Sequence, residues 1–233
     1  LTSYSKKPCI QTIPSLSEDL FNIKDQKDLK TLFFADKIVT LSEYSKNRLE
    51  NLGLDNVVRI YPGIDINEID QYDPYALEFR KENNLLDAYL ILFAGDYEFP
   101  VANKAILESV PPVVSRFPKV KFLFASPNPT EETIKIEKEL RQYTIDLGIE
   151  KYVMFLGDVA NMREVIRSID ICLFPVSTLN NKMDIPITLL ESMAYAKPVI
   201  VTDIKPLDEI MLDDVGFKVP VGNIEALTKN ILE

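Results

Sequence analysis

Short apolar segments alternate with longer amphipathic segments along most of this chain. Most of the apolar segments are continuous runs rather than alternating patterns, as expected of parallel strands that are buried on both faces. Because strands that alternate with helices form right-handed crossover units, the pattern predicts an α/β fold with a doubly wound parallel sheet. The predicted strands are KIVTL (37–41), VVRIY (57–61), YLILFAG (89–95), VKFLFA (120–125), YVMFLG (152–157), DICLFPV (170–176), PVIVTD (198–203) and FKVPV (217–221), and the clearest helical stretches are 42–53, 102–117, 131–148 and 187–196.

Residues 60–74 interrupt this alternation. The segment reads IYPGIDINEIDQYDP and has neither helical nor strand periodicity, which indicates a linker. The chain before it contains only two or three strand candidates, too few to bury both faces of a parallel sheet. We therefore predict that residues 1–68 are the C-terminal remnant of a first domain plus the linker. Residues 69–233 hold six strand candidates and are predicted to form the second domain.

Glycine is scarce, with seven in 233 residues, so each one is expected to have a structural reason. Gly53 and Gly148 follow helical stretches, where a left-handed cap is favoured. Gly95 and Gly157 end predicted strands, at the sheet edge where ligands bind in open α/β folds. These two are either tight turns or places where a ligand approaches the backbone.

Composition and charge exclude several kinds of function. The formal charge is −10 and there is no basic run, which argues against a nucleic-acid partner. The chain has no histidine, so a Ser-His-Asp or Cys-His nucleophile and a histidine-containing zinc site are excluded. No apolar stretch approaches the roughly 20 residues of a membrane span. Cys9 and Cys172 lie in apolar runs and are predicted to be reduced thiols of a cytosolic core, with a disulfide or a catalytic thiol as the alternatives.

The loop 177–186 leads into a helix that is predicted to begin with Pro186. Proline suits the first helical turn, and Asp184 is a candidate cap. The free amides of the first turn would then point toward the carboxyl edge of the sheet, where helix N-termini bind phosphate. These amides belong to Ile187, Thr188 and Leu189. An ordinary helix start is the alternative, because every helix has such an end.

Glu191 lies one turn into this helix, beside apolar neighbours. It belongs to a polar stripe with Thr188, Ser192 and Tyr195 at helical spacing. The stripe is either a solvated face or a place where a carboxylate accepts hydrogen bonds from sugar hydroxyls.

Several ordered motifs resemble those of GT-B glycosyltransferases of the large group 1 family. The resemblance covers about residues 35–233, and the order and spacing of the motifs make it specific. Proteins of this family are longer at both ends, so the resemblance implies that most of the acceptor domain and the last helix lie outside this chain. The motifs are ADKIVTLSEYSKNRLENLGLDNVVRIYPGID, LILFAGDYEFPVANKAILESVPPVVSRFPKVKFLFA, FLGDVANMREVIRSIDICLFPV, IPITLLESMAYAKPVIVTD and DEIMLDDVGFKVPVGNIEAL.

The resemblance implies a Rossmann-like second domain that binds a nucleotide-diphosphate sugar. The implied reaction transfers the sugar to an acceptor with retention of configuration, with no metal and no other cofactor. Glu191 matches the glutamate that holds the ribose, and Glu209 matches a second recurrent acidic position. The remaining matches are the first-loop glycine Gly95, the nucleobase loop Gly157, Asp158 and Val159, and the helix start that faces the diphosphate, Pro186, Ile187, Thr188 and Leu189.

Two departures from the family pattern concern charge. Asp96 follows the first-loop glycine, where many members have arginine, and Met183 stands where many have an additional glutamate. An uncompensated diphosphate in a low-dielectric cleft would cost several kcal/mol. Lys104 and Lys182 are the candidate cations, and with Glu191 they are the candidate catalytic residues; the alternative for each lysine is an ordinary surface position.

These departures leave three functions open. The first is a glycosyltransferase, and the second is a GT-B-type module that binds nucleotide or sugar, or acts as a scaffold, without catalysis. The third is an unrelated doubly wound binding domain, because fold alone does not fix function. Under the first, the partners are the donor and a carbohydrate, lipid-linked or small-molecule acceptor. The expected location is cytoplasmic, with room for peripheral membrane contact through the missing N-terminal portion.

Overall fold

Parallel strands form both sheets of the computed structural model, which describes residues 7–17, 26–69, 74–127, 130–180, 182–212 and 214–233. The chain divides into two units. Unit 1 comprises Leu1–Gly63, Thr178–Ile187 and Lys205–Ile210, and unit 2 comprises Ile64–Ser177, Thr188–Ile204 and Met211–Glu233.

Unit 1 contains a three-stranded parallel sheet in the order β1-β2-β3. Its apolar core is formed by side chains from both helices and two of the strands, among them Leu29, Ile38, Leu49 and Val57. Ser42 caps the second helix by accepting a hydrogen bond from the amide of Ser45. The elements are β1 (Ile10–Ile13), α1 (Gln26–Leu32), β2 (Lys37–Thr40), α2 (Glu43–Asn51) and β3 (Val57–Arg59).

Unit 2 contains a six-stranded parallel sheet in the order β6-β5-β4-β7-β8-β9. The chain moves outward from β4 to β6 on one side, returns to the centre at β7 and then moves outward to β9. In the central register, Leu92 of β4 pairs with Leu123 of β5 and Cys172 of β7. The strands are β4 (Tyr89–Phe93), β5 (Val120–Phe124), β6 (Val153–Phe155), β7 (Ile171–Phe174), β8 (Val199–Thr202) and β9 (Gly216–Val219).

Helices cover both faces of this sheet. On one face α4 packs against α8, and the Tyr143 hydroxyl of α5 donates to Glu108 of α4 at 2.6 Å. On the other face α3 packs against α6, and Arg167 of α6 lies over the Tyr195 ring beyond the end of α7. The helices are α3 (Pro74–Glu82), α4 (Pro100–Arg116), α5 (Glu131–Asp146), α6 (Met162–Ser168), α7 (Ile187–Ala194) and α8 (Ile224–Leu232). The predicted α/β fold with a doubly wound parallel sheet is confirmed.

The linker prediction covers a segment that is mostly irregular. Residues 60–65 form no regular element, a short 3-10 helix occupies Ile66–Glu68, and α3 begins at Pro74. Residues 70–73 lie outside the described part. The predicted domain boundary between residues 68 and 69 remains a prediction, and the first and second units meet in sequence between Gly63 and Ile64.

Two smaller predictions concern glycines and thiols. Gly53 and Gly148 have φ values of +89° and +66°, which confirms the left-handed caps. Both cysteines are free thiols; Cys172 is buried and Cys9 is only half-buried. Burial raises the pKa of Cys172 to about 11, so this thiol stays protonated at neutral pH. No helix among the described residues is both long enough and apolar enough to cross a membrane.

Candidate functional site

The carboxyl edge of the unit 2 sheet contains a topological switch point between β4 and β7. From β4 the chain continues to β5 on one side, whereas from β7 it continues to β8 on the other. The connecting helices therefore leave toward opposite faces of the sheet, and ligands of open α/β folds bind at such points. The loops that follow β4 and β6 carry Gly95, Gly157, Asp158 and Val159, so the fold places these four predicted site residues at the carboxyl edge of the unit 2 sheet.

Four phenylalanines close this edge from below. Each is the last residue of its strand, and their rings contact one another in a row. The centroid distances are 5.3 Å between Phe124 and Phe155, 5.6 Å between Phe93 and Phe124, and 6.4 Å between Phe93 and Phe174. We call Phe93, Phe124, Phe155 and Phe174 the phenylalanine row. Packed aromatic rings of this kind give the loops above them a rigid base.

Packing against the phenylalanine row explains why residue 95 is a glycine. A Cβ atom at Gly95 would collide with the Phe93 ring, and that ring is itself buried. The Gly95 carbonyl accepts a hydrogen bond from the Ser126 hydroxyl, which ties the loop after β4 to the loop after β5. The backbone at Gly95 is therefore held close to the sheet edge by packing beneath it.

The predicted nucleobase loop follows β6. Gly157 has φ of +66°, a conformation that favours glycine, and no atom lies within 4 Å of the position a Cβ would take. Asp158 is exposed and Val159 is half-buried. The turn thus depends on backbone conformation and leaves the space beside Gly157 open.

Helix α7 begins at Ile187, one residue after the predicted start at Pro186. The amides of its first turn, from Ile187, Thr188 and Leu189, have no acceptor within the helix, as in any first turn. The Leu189 side chain is fully buried. The expectation that Asp184 caps the helix is wrong, because its carboxylate is bonded to Ser42 instead.

Glu191 lies one turn into α7 and forms an ion pair with Arg163 of α6. The Arg163 Nε donates to Glu191 Oε1 at 3.2 Å, and the Glu191 side chain is 16% exposed. Arg163 was not among the residues predicted from the sequence. The sequence pattern that could have identified Arg163 is a basic residue six positions after Gly157, followed four positions later by Arg167 on the same helix face.

Lys104 lies on α4, on the opposite face of the sheet from α7. Its side chain is 67% exposed and its ammonium is 3.8 Å from Glu108 Oε1. It borders a cavity of about 730 Å³ between α4 and α5, lined also by Tyr97, Ile136 and Tyr143. These surroundings are those of a surface lysine and offer no support for a contact with a diphosphate.

The remaining predicted residues belong to unit 1, although they follow β7 and β8 in sequence. Lys182 is half-buried, and its amide donates to the Leu179 carbonyl at 2.9 Å. Nearby in sequence, Asp184 is buried and accepts a hydrogen bond from the Ser42 hydroxyl at 2.5 Å. The Asp184 amide donates to the Pro14 carbonyl at 2.9 Å. The segment before α7 is therefore fixed within unit 1 through both its backbone and its carboxylate.

Glu209 is bonded to the first turn of α2. Its two carboxylate oxygens accept hydrogen bonds from the amides of Glu43 and Tyr44, each at 2.7 Å. The Tyr61 hydroxyl donates to one of the same oxygens at 3.0 Å. A carboxylate at a helix N-terminus satisfies unpaired amides and interacts favourably with the helix dipole. The structure thus gives Glu209 a clear role as a helix cap.

Taken together, the edge of unit 2 offers a particular set of groups to a ligand. Unpaired amides of an eight-residue helix can bind an anion. A partly exposed carboxylate one turn later can accept hydrogen bonds from hydroxyl groups, and an arginine balances its charge. The loop after β6 has open space beside Gly157. This combination suits a ligand with both an anionic part and a hydroxylated part.

Solved structures with the same fold include several glycosyltransferases. The chain superimposes on Anabaena HepE in complex with UDP and glucose with a TM-score of 0.79 at 19% identity, covering 99% of this chain and 62% of that one. The corresponding values for a glycosyltransferase from Rickettsia africae are 0.76, 18%, 99% and 61%. For sucrose-phosphate synthase from Thermosynechococcus elongatus they are 0.73, 16%, 96% and 57%. At such low identity these likenesses show the fold, and the chain spans about three-fifths of the length of these proteins.

Sequence comparison gives the family. No curated protein matches the chain. A family model described as Glycosyl transferases group 1 matches residues 88–233, which is well over half of the chain and includes the whole six-stranded sheet. The chain therefore belongs to the group 1 family of glycosyl transferases.

Proposed function

We propose that this protein transfers a sugar from a nucleotide-diphosphate sugar to an acceptor, with retention of configuration and without a metal ion. One observation carries the proposal: the amides in the first turn of α7, the helix that follows β7, have no acceptor within the helix, and Glu191 follows one turn later with a side chain that is 16% exposed. Membership of the group 1 family and the fold shared with HepE, which was crystallised with UDP and glucose, agree with it.

In this proposal each part of the donor contacts a different set of protein groups. The amides of Ile187, Thr188 and Leu189 bind the diphosphate, with Pro186 setting the start of the helix. Glu191 accepts hydrogen bonds from the ribose hydroxyls, and backbone groups of Gly157, Asp158 and Val159 contact the nucleobase. Gly95 allows the donor to approach the loop after β4.

The proposed reaction depends on stabilising the negative charge of the leaving diphosphate. Cleavage of the bond between the anomeric carbon and the diphosphate oxygen leads, and negative charge grows on the leaving diphosphate. A helix N-terminus stabilises that charge more in the transition state than in the bound donor, which is what lowers a barrier. The leaving diphosphate then accepts the proton of the acceptor hydroxyl as the new bond forms on the same face. No protein nucleophile is needed in this scheme.

Thermal unfolding with added nucleotides tests the binding half of the proposal. UDP is the first nucleotide to test because HepE binds it, and GDP and UDP-glucose complete the set. A ligand at one hundred times its dissociation constant stabilises the folded state by about 2.7 kcal/mol. The variant Glu191→Ala is expected to lose most of that stabilisation, whereas Glu225→Ala, an exposed change on α8, should keep it. A wild-type protein that responds to none of these nucleotides contradicts the proposal.

A second candidate function is a binding module without catalysis. Asp96 and Met183, which replace charged groups of the family pattern, favour it. Assay of the protein as it occurs in the cell, with UDP-sugars and excess chelator, separates the two. Release of UDP that persists in the chelator and stops in Glu191→Ala supports a metal-independent transferase. Nucleotide binding without any turnover supports the module.

A further inference from the structure

Helices α6 and α7 are joined by two arginine contacts one helical turn apart. Arg163 pairs with Glu191 of α7, and Arg167 lies over the ring of Tyr195, the residue after α7, at 5.0 Å. The two arginines lie on one face of α6 because residues four apart are neighbours on a helix. The contacts differ in chemistry: the first reaches a carboxylate near the start of α7, and the second covers an aromatic ring beyond its end.

The Arg163–Glu191 contact leaves part of the carboxylate available. A hydrogen bond to the carboxylate runs from Arg163 Nε to Oε1, at 3.2 Å. Among the residues that the structure describes, no other side chain bonds to the Glu191 carboxylate. A carboxylate has about four acceptor positions, so one guanidinium contact leaves enough for two hydroxyl donors. The Glu191 side chain is 16% exposed, which limits its motion and keeps it accessible.

The charge of Arg163 matters at this location. An unpaired carboxylate near the proposed diphosphate would repel it, and the loop after β4 adds Asp96 where a cation is usual in the family. Arg163 is 45% exposed and supplies a permanent positive charge beside Glu191. The guanidinium both restricts the carboxylate to one orientation and cancels its charge, without itself needing to touch the ligand.

We propose that Arg163 is a positioning residue for recognition of the donor ribose. It holds Glu191 Oε1 so that the other carboxylate oxygen faces the ribose hydroxyls. Arg163 and Glu191 together then recognise the ribose. This inference rests on the proposed function, since it requires that Glu191 contact a ribose. It adds that Arg163 determines how strongly the site distinguishes ribose from 2′-deoxyribose.

Calorimetric titration with UDP and with 2′-deoxy-UDP tests this directly. The wild-type protein is expected to bind UDP more tightly than 2′-deoxy-UDP, by roughly tenfold for one lost hydrogen bond to a charged group. In Arg163→Ala the affinity for UDP should fall about five- to twentyfold while that for 2′-deoxy-UDP changes little, so the ratio approaches one. Arg163→Lys keeps the charge without the planar guanidinium and should restore part of the ratio.

Arg167→Ala is the matched control. It removes an arginine from the same face of α6 and one contact with the α7 region, so it reproduces any general loosening of the two helices. We expect it to keep the wild-type ratio of UDP to 2′-deoxy-UDP affinity. An unchanged ratio in Arg163→Ala, with a wild-type protein that binds UDP, overturns the assignment of Arg163 alone. Absence of UDP and GDP binding by the wild-type protein overturns the proposed function and this inference together.

Discussion

Gly95 lies where the backbone passes over the Phe93 ring, and the constraint comes from packing rather than from an unusual φ angle. The ring contacts Phe124 and Phe174 and is buried, so it has little room to move. The loop after β4 is therefore seated on the phenylalanine row.

Replacing this glycine should lower stability. Gly95→Ala forces a methyl group into the Phe93 ring, and overpacking of this kind costs about 1–3 kcal/mol. Urea unfolding followed by circular dichroism measures the change. Gly63→Ala is the control, because nothing lies within 4 Å of the Cβ position there and the change should be close to neutral or slightly stabilising. Equal effects of the two changes would argue against the packing explanation.

Asp184 is a buried carboxylate, 4% exposed, within unit 1. Burial raises its pKa above the usual range, against hydrogen bonds from Ser42 and Ser45 that lower it. The nearby Glu209 carboxylate raises the pKa further and Arg48 opposes the rise. The folded protein thus holds a proton at Asp184 more readily than the unfolded chain does.

The pH dependence of stability follows with a definite sign. As pH falls through the raised pKa toward the unfolded value of about 3.9, proton uptake at Asp184 favours the folded state. The wild-type protein should therefore gain stability relative to Asp184→Asn as pH is lowered from 7 toward 4. Paired urea titrations at several pH values measure this difference. A relative loss of wild-type stability in the same range would show that the charged form of Asp184 is the favoured one.

At the scale of elements, the first turn of α2 is capped by two side chains, one adjacent in sequence and one distant in sequence. Ser42 caps it locally, and Glu209 accepts from two of its amides although it lies 165 and 166 residues away. A helix with unpaired first-turn amides is a common anion site. Here a carboxylate of the same chain occupies that site.

This double cap predicts a loss of stability in Glu209→Gln. The glutamine side chain has only one acceptor oxygen. One backbone amide of α2 therefore loses its acceptor and faces the side-chain NH2 group instead, which lowers the free energy of unfolding by about 1–3 kcal/mol. Unfolding in urea measures the loss. Glu225→Gln removes an exposed charge from the first turn of α8 and should cost less than about 0.5 kcal/mol. A loss no greater than that of the control would mean that Glu209 does not support α2.

Elements with long apolar runs or clear helical spacing were predictable from sequence. The six strands of unit 2 and helices α2, α4, α5 and α7 fall within a few residues of their predicted positions. Strand β1 was missed because IQTI is short and places Ile10 in solvent, 69% exposed. Helix α6 was not singled out because seven residues hardly establish a helical period.

At the scale of the whole molecule, the edge that carries the candidate site could be predicted, whereas the partners of its side chains could not. Parallel strands that alternate with helices place their carboxyl ends at one edge of the sheet, and ligands of open α/β folds bind beyond that edge. By contrast, the contacts of Arg163 with Glu191 and of Asp184 with Ser42 join residues 28 and 142 positions apart. Periodicity reports which face a residue occupies on its own element and carries no information about such pairs.

We propose that the first turn of α7 and Glu191 together bind a nucleoside diphosphate. A crystal structure of the protein with the nucleotide that stabilises it most tests this claim directly. We expect phosphate oxygens about 2.7–3.2 Å from the amides of Ile187, Thr188 and Leu189, and a ribose hydroxyl at a similar distance from Glu191. A nucleotide bound with its diphosphate away from α7, or with its ribose out of reach of Glu191, would contradict the account.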